Sequence, residues 1–148
     1  MRPSSLRRLI VQVALTALLV VSSAAAAALA AGAATGPKAK VRGLLLHQVD
    51  LFNHSRWRPL WLTYTPRFRS RCPYRNFLAV ETRARSALGR FSVRKITVRV
   101  TRARAAVTYE LLARGVVVDR ATPTRPDVYV RLSGRWYDEV DSHTGPGC

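Results

Sequence analysis

The sequence predicts an α+β domain, with helices packed on one face of an antiparallel sheet. Three observations carry this. Before Gly89 apolar residues recur at helical spacing. After Gly89 they alternate with a period of two, and glycine- and proline-containing turns bound each alternating run.

Residues 35–40 read as a linker, and the domain as residues 41–141. Val41, Leu44, Leu45, Gln48, Val49 and Phe52 lie at helical spacing and predict a first helix. Asn53-His54-Ser55 reads as its end and as the cap of the next. Trp57, Leu60, Trp61, Tyr64 and Phe68 form the clearest helical stripe and predict a second helix. Pro59 fits only its first turn. Pro66 drives Thr65 out of helical geometry, so the regular helix ends there. Pro73 opens a third helix at its first position. Phe77, Val80, Ala84, Ala87 and Leu88 are its expected buried face, with Arg75, Arg83 and Arg85 left to water, and Gly89 ends it. Ile96, Val98 and Val100 alternate with Lys95, Thr97 and Arg99. Ala105, Val107, Tyr109 and Leu111 alternate with Ala106, Thr108 and Glu110. Gly115 turns into Val116-Val117-Val118. Val128, Val130 and Leu132 alternate with Tyr129 and Arg131. Ser133-Gly134 makes a hairpin turn into a last strand, Arg135 to Val140. Trp57, Trp61, Tyr64, Phe77 and Trp136 are the expected large core and cavity residues. There are no internal repeats.

From Leu9 to Pro37 no residue is charged, and the eight-residue segment before that run is basic through Arg2, Arg7 and Arg8. A positive start, an apolar core from Leu9 to Val21 and an Ala-rich end make the layout of a secretory signal peptide over residues 1–34. The expected location is therefore outside the cytoplasmic membrane, secreted or in the cell envelope. The alternative is an uncleaved single-pass anchor, since a spanning helix needs about 20 apolar residues. In either case Arg2, Arg7 and Arg8 stay inside and the domain lies outside. Cys72 and Cys148 are the only cysteines. An even count in an oxidising compartment favours a bridge between them, which would tie down a tail over residues 142–148. An intermolecular bridge or two free thiols are the alternatives.

Three of the 25 Lys and Arg residues lie in the leader, which leaves 22 basic against 8 acidic residues. Between Arg67 and Arg104 stand twelve basic residues and one acid, Glu81. Arg67, Arg69, Arg71, Arg75, Arg83 and Arg85 define a basic face. Such a face concentrates polyanions, which outside a cell means anionic envelope surfaces or acidic proteins; export argues against nucleic acid. A solvated arginine coat is the simpler reading.

Several stretches resemble the nuclear transport factor 2-like (SnoaL-like) superfamily. They are Trp57-Arg58-Pro59-Leu60-Trp61 through Thr65-Pro66-Arg67-Phe68-Arg69, Cys72-Pro73-Tyr74-Arg75-Asn76-Phe77, Ala105-Ala106-Val107-Thr108-Tyr109-Glu110 and Gly134-Arg135-Trp136-Tyr137. The resemblance covers about residues 41–141. It implies three helices on a strongly curved sheet of four to five strands, closing a cone with an apolar cavity. Its members include isomerases, epoxide hydrolases and dehydratases, and many exported proteins without known activity.

The enzymes of that superfamily place a carboxylate or histidine inside the cone. Asp138 shares the phase of Trp136 and Val140 and is the best candidate acid or base. The simpler expectation is an outward Asp138 at a strand end, paired with an arginine. Tyr109 shares the phase of Val107 and Leu111 and would present its hydroxyl inward, more often as ordinary core. His47, Asp50 and His54 at i, i+3 and i+7 would share one face of the first helix. They lack the tight histidine pair and the fourth ligand of a zinc site. No phosphate loop or nucleophile triad is present, and no cofactor is implied. The leading expectation is an exported, non-catalytic domain that binds a protein partner or apolar ligand at the envelope; a homo-oligomer is compatible with it. The alternatives are a small cone-cavity enzyme using Asp138 and Tyr109, and a membrane-anchored accessory subunit.

Overall fold

A proline begins the first helix inside the segment read as a linker. In the computed structural model, which describes residues 36–140, α1 runs Pro37–Asn53. Proline suits a first helical position, where its missing N–H has no partner to lose. Val41, Leu45, Gln48, Leu51 and Phe52 form the buried stripe of α1. Its end is a Schellman motif: the Ser55 amide bonds the Phe52 carbonyl at 3.0 Å and the Arg56 amide bonds Leu51 at 2.8 Å. Ser55 takes the left-handed conformation there, at φ 55°. A side chain is strained in that region and glycine is not. Ser55→Gly is expected to raise stability by about 0.5 kcal/mol, measured by urea denaturation.

The predicted second helix is two short ones. α2 spans Trp57–Trp61 and α3 spans Pro66–Arg71. Between them the chain pairs with the end of the sheet. The Asp138 amide donates to the Thr63 carbonyl at 3.0 Å, and the Thr65 amide donates to the Asp138 carbonyl at 3.0 Å. Thr65 then caps α3, its hydroxyl accepting from the Phe68 amide at 3.2 Å. Pro73 sits at the N-cap of α4, Tyr74–Leu88, rather than at its first position. The buried face of α4 also differs from expectation. Phe77 and Glu81 are buried, Ala84 and Arg85 are half-buried, and Ala87 and Leu88 are exposed. Arg85 points inward far enough for its guanidinium to donate to the Asn53 carbonyl.

Five strands follow: β1 Phe91–Thr101, β2 Arg104–Ala113, β3 Val116–Ala121, β4 Asp127–Leu132 and β5 Arg135–Asp138. All their pairings are antiparallel. The described residues thus form an α+β fold of four helices and one open five-stranded sheet. β2 is its spine. β1 pairs along one side of β2; on the other side β4 takes Arg104 to Val107 and β3 takes Tyr109 to Ala113. The turns at Arg114-Gly115 and Ser133-Gly134 have positive φ at both central residues, the type I′ pattern that matches strand twist.

One extra residue in β1 changes its phase. The register slips between Arg94 and Thr97, where Lys95 has φ 56°. This is a β-bulge. Phe91 and Val93 point inward before it, and Ile96, Val98 and Val100 after it. The bulge also lets Arg94 and Lys95 reach the same carboxylate, Glu110, at 2.6 and 2.9 Å. These hydrogen bonds hold the Glu110 carboxyl below the usual range.

The expected phase of β4 holds only in part: Val130 is buried as predicted, but so is its neighbour Tyr129. Tyr129 is fully enclosed and Leu132 is 43% exposed. Tyr129 instead joins Val41, Leu45, Ala105, Val107 and Trp136 in a cluster between α1 and the sheet. A second cluster gathers Leu51, Phe52, Leu60, Phe68, Cys72 and Phe77, with Trp57, Trp61 and Tyr64 half-buried against it. The expected core residues therefore divide between two clusters, Trp136 in the first and the other four in the second.

Candidate functional site

Gln48 is the polar member of an apolar helical stripe, and it organises the interior. Its amide Nε2 donates to Thr63 Oγ1 at 2.9 Å and to Asp138 Oδ2 at 3.1 Å. Its Oε1 accepts from the Tyr129 hydroxyl at 2.8 Å. Thr63 in turn donates to the Leu60 carbonyl at 2.6 Å. One side chain thus ties α1 to β4, β5 and the segment after α2. Asp138 faces this network and not solvent, which corrects the expectation of an outward, arginine-paired carboxylate. The cause is the pairing of β5 with Thr63–Thr65, which covers the strand end where a fraying Asp was expected.

Burial raises the Asp138 pKa to about 8; the neighbouring Asp127 charge adds to this, and the Gln48 hydrogen bond opposes it. The folded chain therefore favours the protonated form of Asp138 well above the usual carboxylate range. Tyr109 does present its hydroxyl inward, and donates it to Asp127 Oδ2. Burial raises Asp127 as well, and it raises Tyr64 and Tyr129. Glu81 is raised to about 7 by burial. Among the described residues three carboxyl groups and three tyrosines thus have raised pKa; Asp138 and Tyr129 meet at Gln48, and Tyr109 pairs separately with Asp127. Asp127 and Glu81 carried no recognisable sequence signal. Gln48 did, as a polar break in the first stripe. Gln48→Leu is expected to cost about 2 kcal/mol, because it strips partners from Tyr129, Thr63 and Asp138 together; the midpoint of urea unfolding measures it.

The metal candidates are not assembled. α1 ends at Asn53, so His54 lies in the turn, where its Nδ1 sits 3.1 Å from Asp50 Oδ1. His47 lines a different hollow, with Lys40, Leu44 and Trp136. Among the described residues no group of three His, Cys, Asp or Glu side chains is placed to hold a metal ion. Among the same residues no helix is long and apolar enough to cross a membrane. The leader over residues 1–34, the tail over 142–148 and Cys148 lie outside the described residues. Cys72, the other end of the expected bridge, is buried at 1% exposure, and its carbonyl accepts from Trp61 Nε1 at 3.0 Å.

The arginines fall into two groups. On the sheet, Arg94 and Arg120 face Glu110, and Arg104 bonds Glu139 at 2.5 Å. On the helical side, from Leu51 to Val80, the sequence has six arginines and no acid. Among the described residues none of those six is paired with a carboxylate. Arg58, which the sequence reading left out of the basic face, lies over the rings of Trp61 and Tyr74 at 4.9 and 5.0 Å. Arg69 lies over Trp61 at 5.4 Å. Cation–π contact holds these guanidinium groups flat without neutralising them. Arg67 and Arg71, four residues apart on α3, line a cleft of about 300 Å³ with Thr65, Arg104, Val128, Glu139 and Val140. Arg75 and Arg83 are exposed on α4.

The chain matches no protein-family model, and no curated protein is significantly similar to it.

Proposed function

We propose that this chain is an exported, non-catalytic binding domain of the nuclear transport factor 2-like kind, which docks on an anionic partner at the cell envelope through its helical side. The observation that carries the reading is the stretch from Leu51 to Val80, which has six arginines and no acid. Among the described residues Arg94, Arg104 and Arg120 on the sheet have carboxylate partners, while Arg99, Arg131 and Arg135 do not; on α2, α3 and the start of α4 no arginine has one, and two of these are laid on aromatic rings. Desolvating an arginine already stacked on a ring costs less than desolvating a freely hydrated one, so such a surface suits a partner that brings the negative charge. The leader and the cysteine count support placement outside the membrane. The bulge at Lys95 and the change of partner along β2 support a curved, cone-like sheet.

Sedimentation with the isolated envelope fraction of the producing cell tests the reading. Wild type is expected to be retained, and Arg58→Ala with Arg75→Ala to lower retention about tenfold. Retention unchanged in that variant, while Arg99→Ala on the sheet abolishes it, would sink the proposal.

A second reading, a small acid–base enzyme, has the buried Asp138 and the adjacent tyrosines in its favour. It requires a substrate to reach the Gln48 network. Its test is a 13C titration of the Asp138 carboxyl in the presence of small apolar ligands. A ligand-dependent shift favours the enzyme, and an unperturbed titration favours the binding domain.

A further inference from the structure

We propose that the cleft between α3 and the β2–β4–β5 end of the sheet is a binding site for a single phosphate-bearing group. The inference rests on the binding-domain reading for the ligand's location and goes beyond it by naming a site and a chemistry.

Three guanidinium groups converge on this cleft. Arg67 and Arg71 stand one helical turn apart on α3, on the same face. Like charges so placed repel, and among the described residues neither has a carboxylate partner. Arg104 enters from the start of β2, and its bond to Glu139 uses only one arm of its fork. The cleft therefore holds three positive charges against one negative. Its walls are Thr65, Val128 and Val140, and its volume of about 300 Å³ admits a small headgroup.

The geometry selects the ligand class. A guanidinium fork matches two oxygens of one phosphate, and arginine does this better than lysine. All three cations here are arginine. A phosphate monoester, with nearly two negative charges, balances the surplus of two. The rest of the helical surface differs: Arg58 and Arg69 are spread over aromatic rings, an arrangement that suits an extended surface and not one group.

The test is a titration of the full chain with glycerol 3-phosphate, followed by the arginine Nε–Hε resonances. A saturable shift confined to Arg67, Arg71 and Arg104 is expected. Arg67→Ala with Arg71→Ala should weaken binding at least about tenfold. Arg71→Lys, which keeps the charge and loses the fork, should weaken it by less, and Arg83→Ala should change nothing. A shift that grows linearly without saturating, or equal affinity in the double variant, overturns the proposal. Vesicles of phosphatidylglycerol against phosphatidylcholine separate the sources. Competition between the anionic vesicles and glycerol 3-phosphate identifies a lipid headgroup, and saturable binding without competition identifies a soluble or polymeric phosphate. Failure here is distinguishable from failure of the broader reading. Envelope retention that depends on Arg58 and Arg75 alone, without saturable phosphate binding, sinks only the cleft.

Discussion

The domain is expected to become more stable on acidification from pH 8 to pH 5, by on the order of 3 kcal/mol, and Asp138→Asn is expected to remove most of that gain. The sign follows from the raised pKa. An unfolded chain releases the Asp138 proton near its ordinary value of 3.8, whereas the folded chain holds it until about pH 8. Between those limits the folded state binds one proton more than the unfolded state, so stability falls as pH rises through the window. One unit is worth about 1.4 kcal/mol, so the three pH units from 8 to 5 set a ceiling near 4 kcal/mol for Asp138. Relaxation and water entry around an ionised core carboxylate reduce it further. Glu81, raised to about 7, and Asp127, also raised, act in the same direction. Glu110 opposes them, but its carboxyl is held low, so its contribution is lost only below the acidic end of this window. For a domain of this size the change corresponds to a rise in Tm of roughly 10 °C or more. Thermal unfolding of wild type and Asp138→Asn at pH 5, 6.5 and 8 measures it. An Asp138→Asn variant as pH-dependent as wild type would place the effect elsewhere.

The sequence reading lacked this behaviour because the residues that create it are joined by long-range pairing. Asp138 looked like a fraying strand end, and only the pairing of β5 with Thr63–Thr65, more than seventy residues earlier, encloses it. That pairing also explains the broken second helix. The stripe from Trp57 to Phe68 has faultless helical spacing, and its members do meet in one cluster, but two short helices bring them there. Periodicity reported which residues face the core, and Pro66 marked a break at Thr65; the stop already at Trp61 and the restart at Pro66 were not read, because the hydrogen bonds of the intervening segment belong to the sheet. Lys95 is a similar case. Lysine has no preference for positive φ, so a bulge at this position has no local signature, yet it reverses the inward phase of β1. The turns at Arg114-Gly115 and Ser133-Gly134 were legible because glycine at the second central position is itself the signature. Gln48 was legible in retrospect: a polar residue inside an apolar stripe implies a buried partner. Tyr129 was misplaced because strict alternation allows only one of two neighbours inside, whereas here Tyr129 and Val130 are both buried.

Reduction is expected to lower the stability of the protein by about 4 kcal/mol, if Cys72 and Cys148 are joined as we propose. A link between them would close a loop holding α4 and the whole sheet, and the entropic gain grows with loop length. Single replacements separate this from other effects. Cys148→Ser removes only the link, so its loss should equal that caused by reduction, and reducing agent should then have no further effect. Cys72→Ser should lose more, because it also sets a hydroxyl among Leu60, Phe68 and Phe77, where Cys72 is almost fully enclosed. Two free thiols predict a different order: Cys148→Ser neutral, Cys72→Ser costly and reduction without effect. An intermolecular bridge predicts a fall in mass on reduction, seen by light scattering, whereas the internal bridge leaves the mass unchanged. The loss expected for the internal bridge is a drop in Tm of roughly 15 °C or more. Such a loss matters in a small domain whose core divides into two modest clusters, one of which contains Cys72 itself.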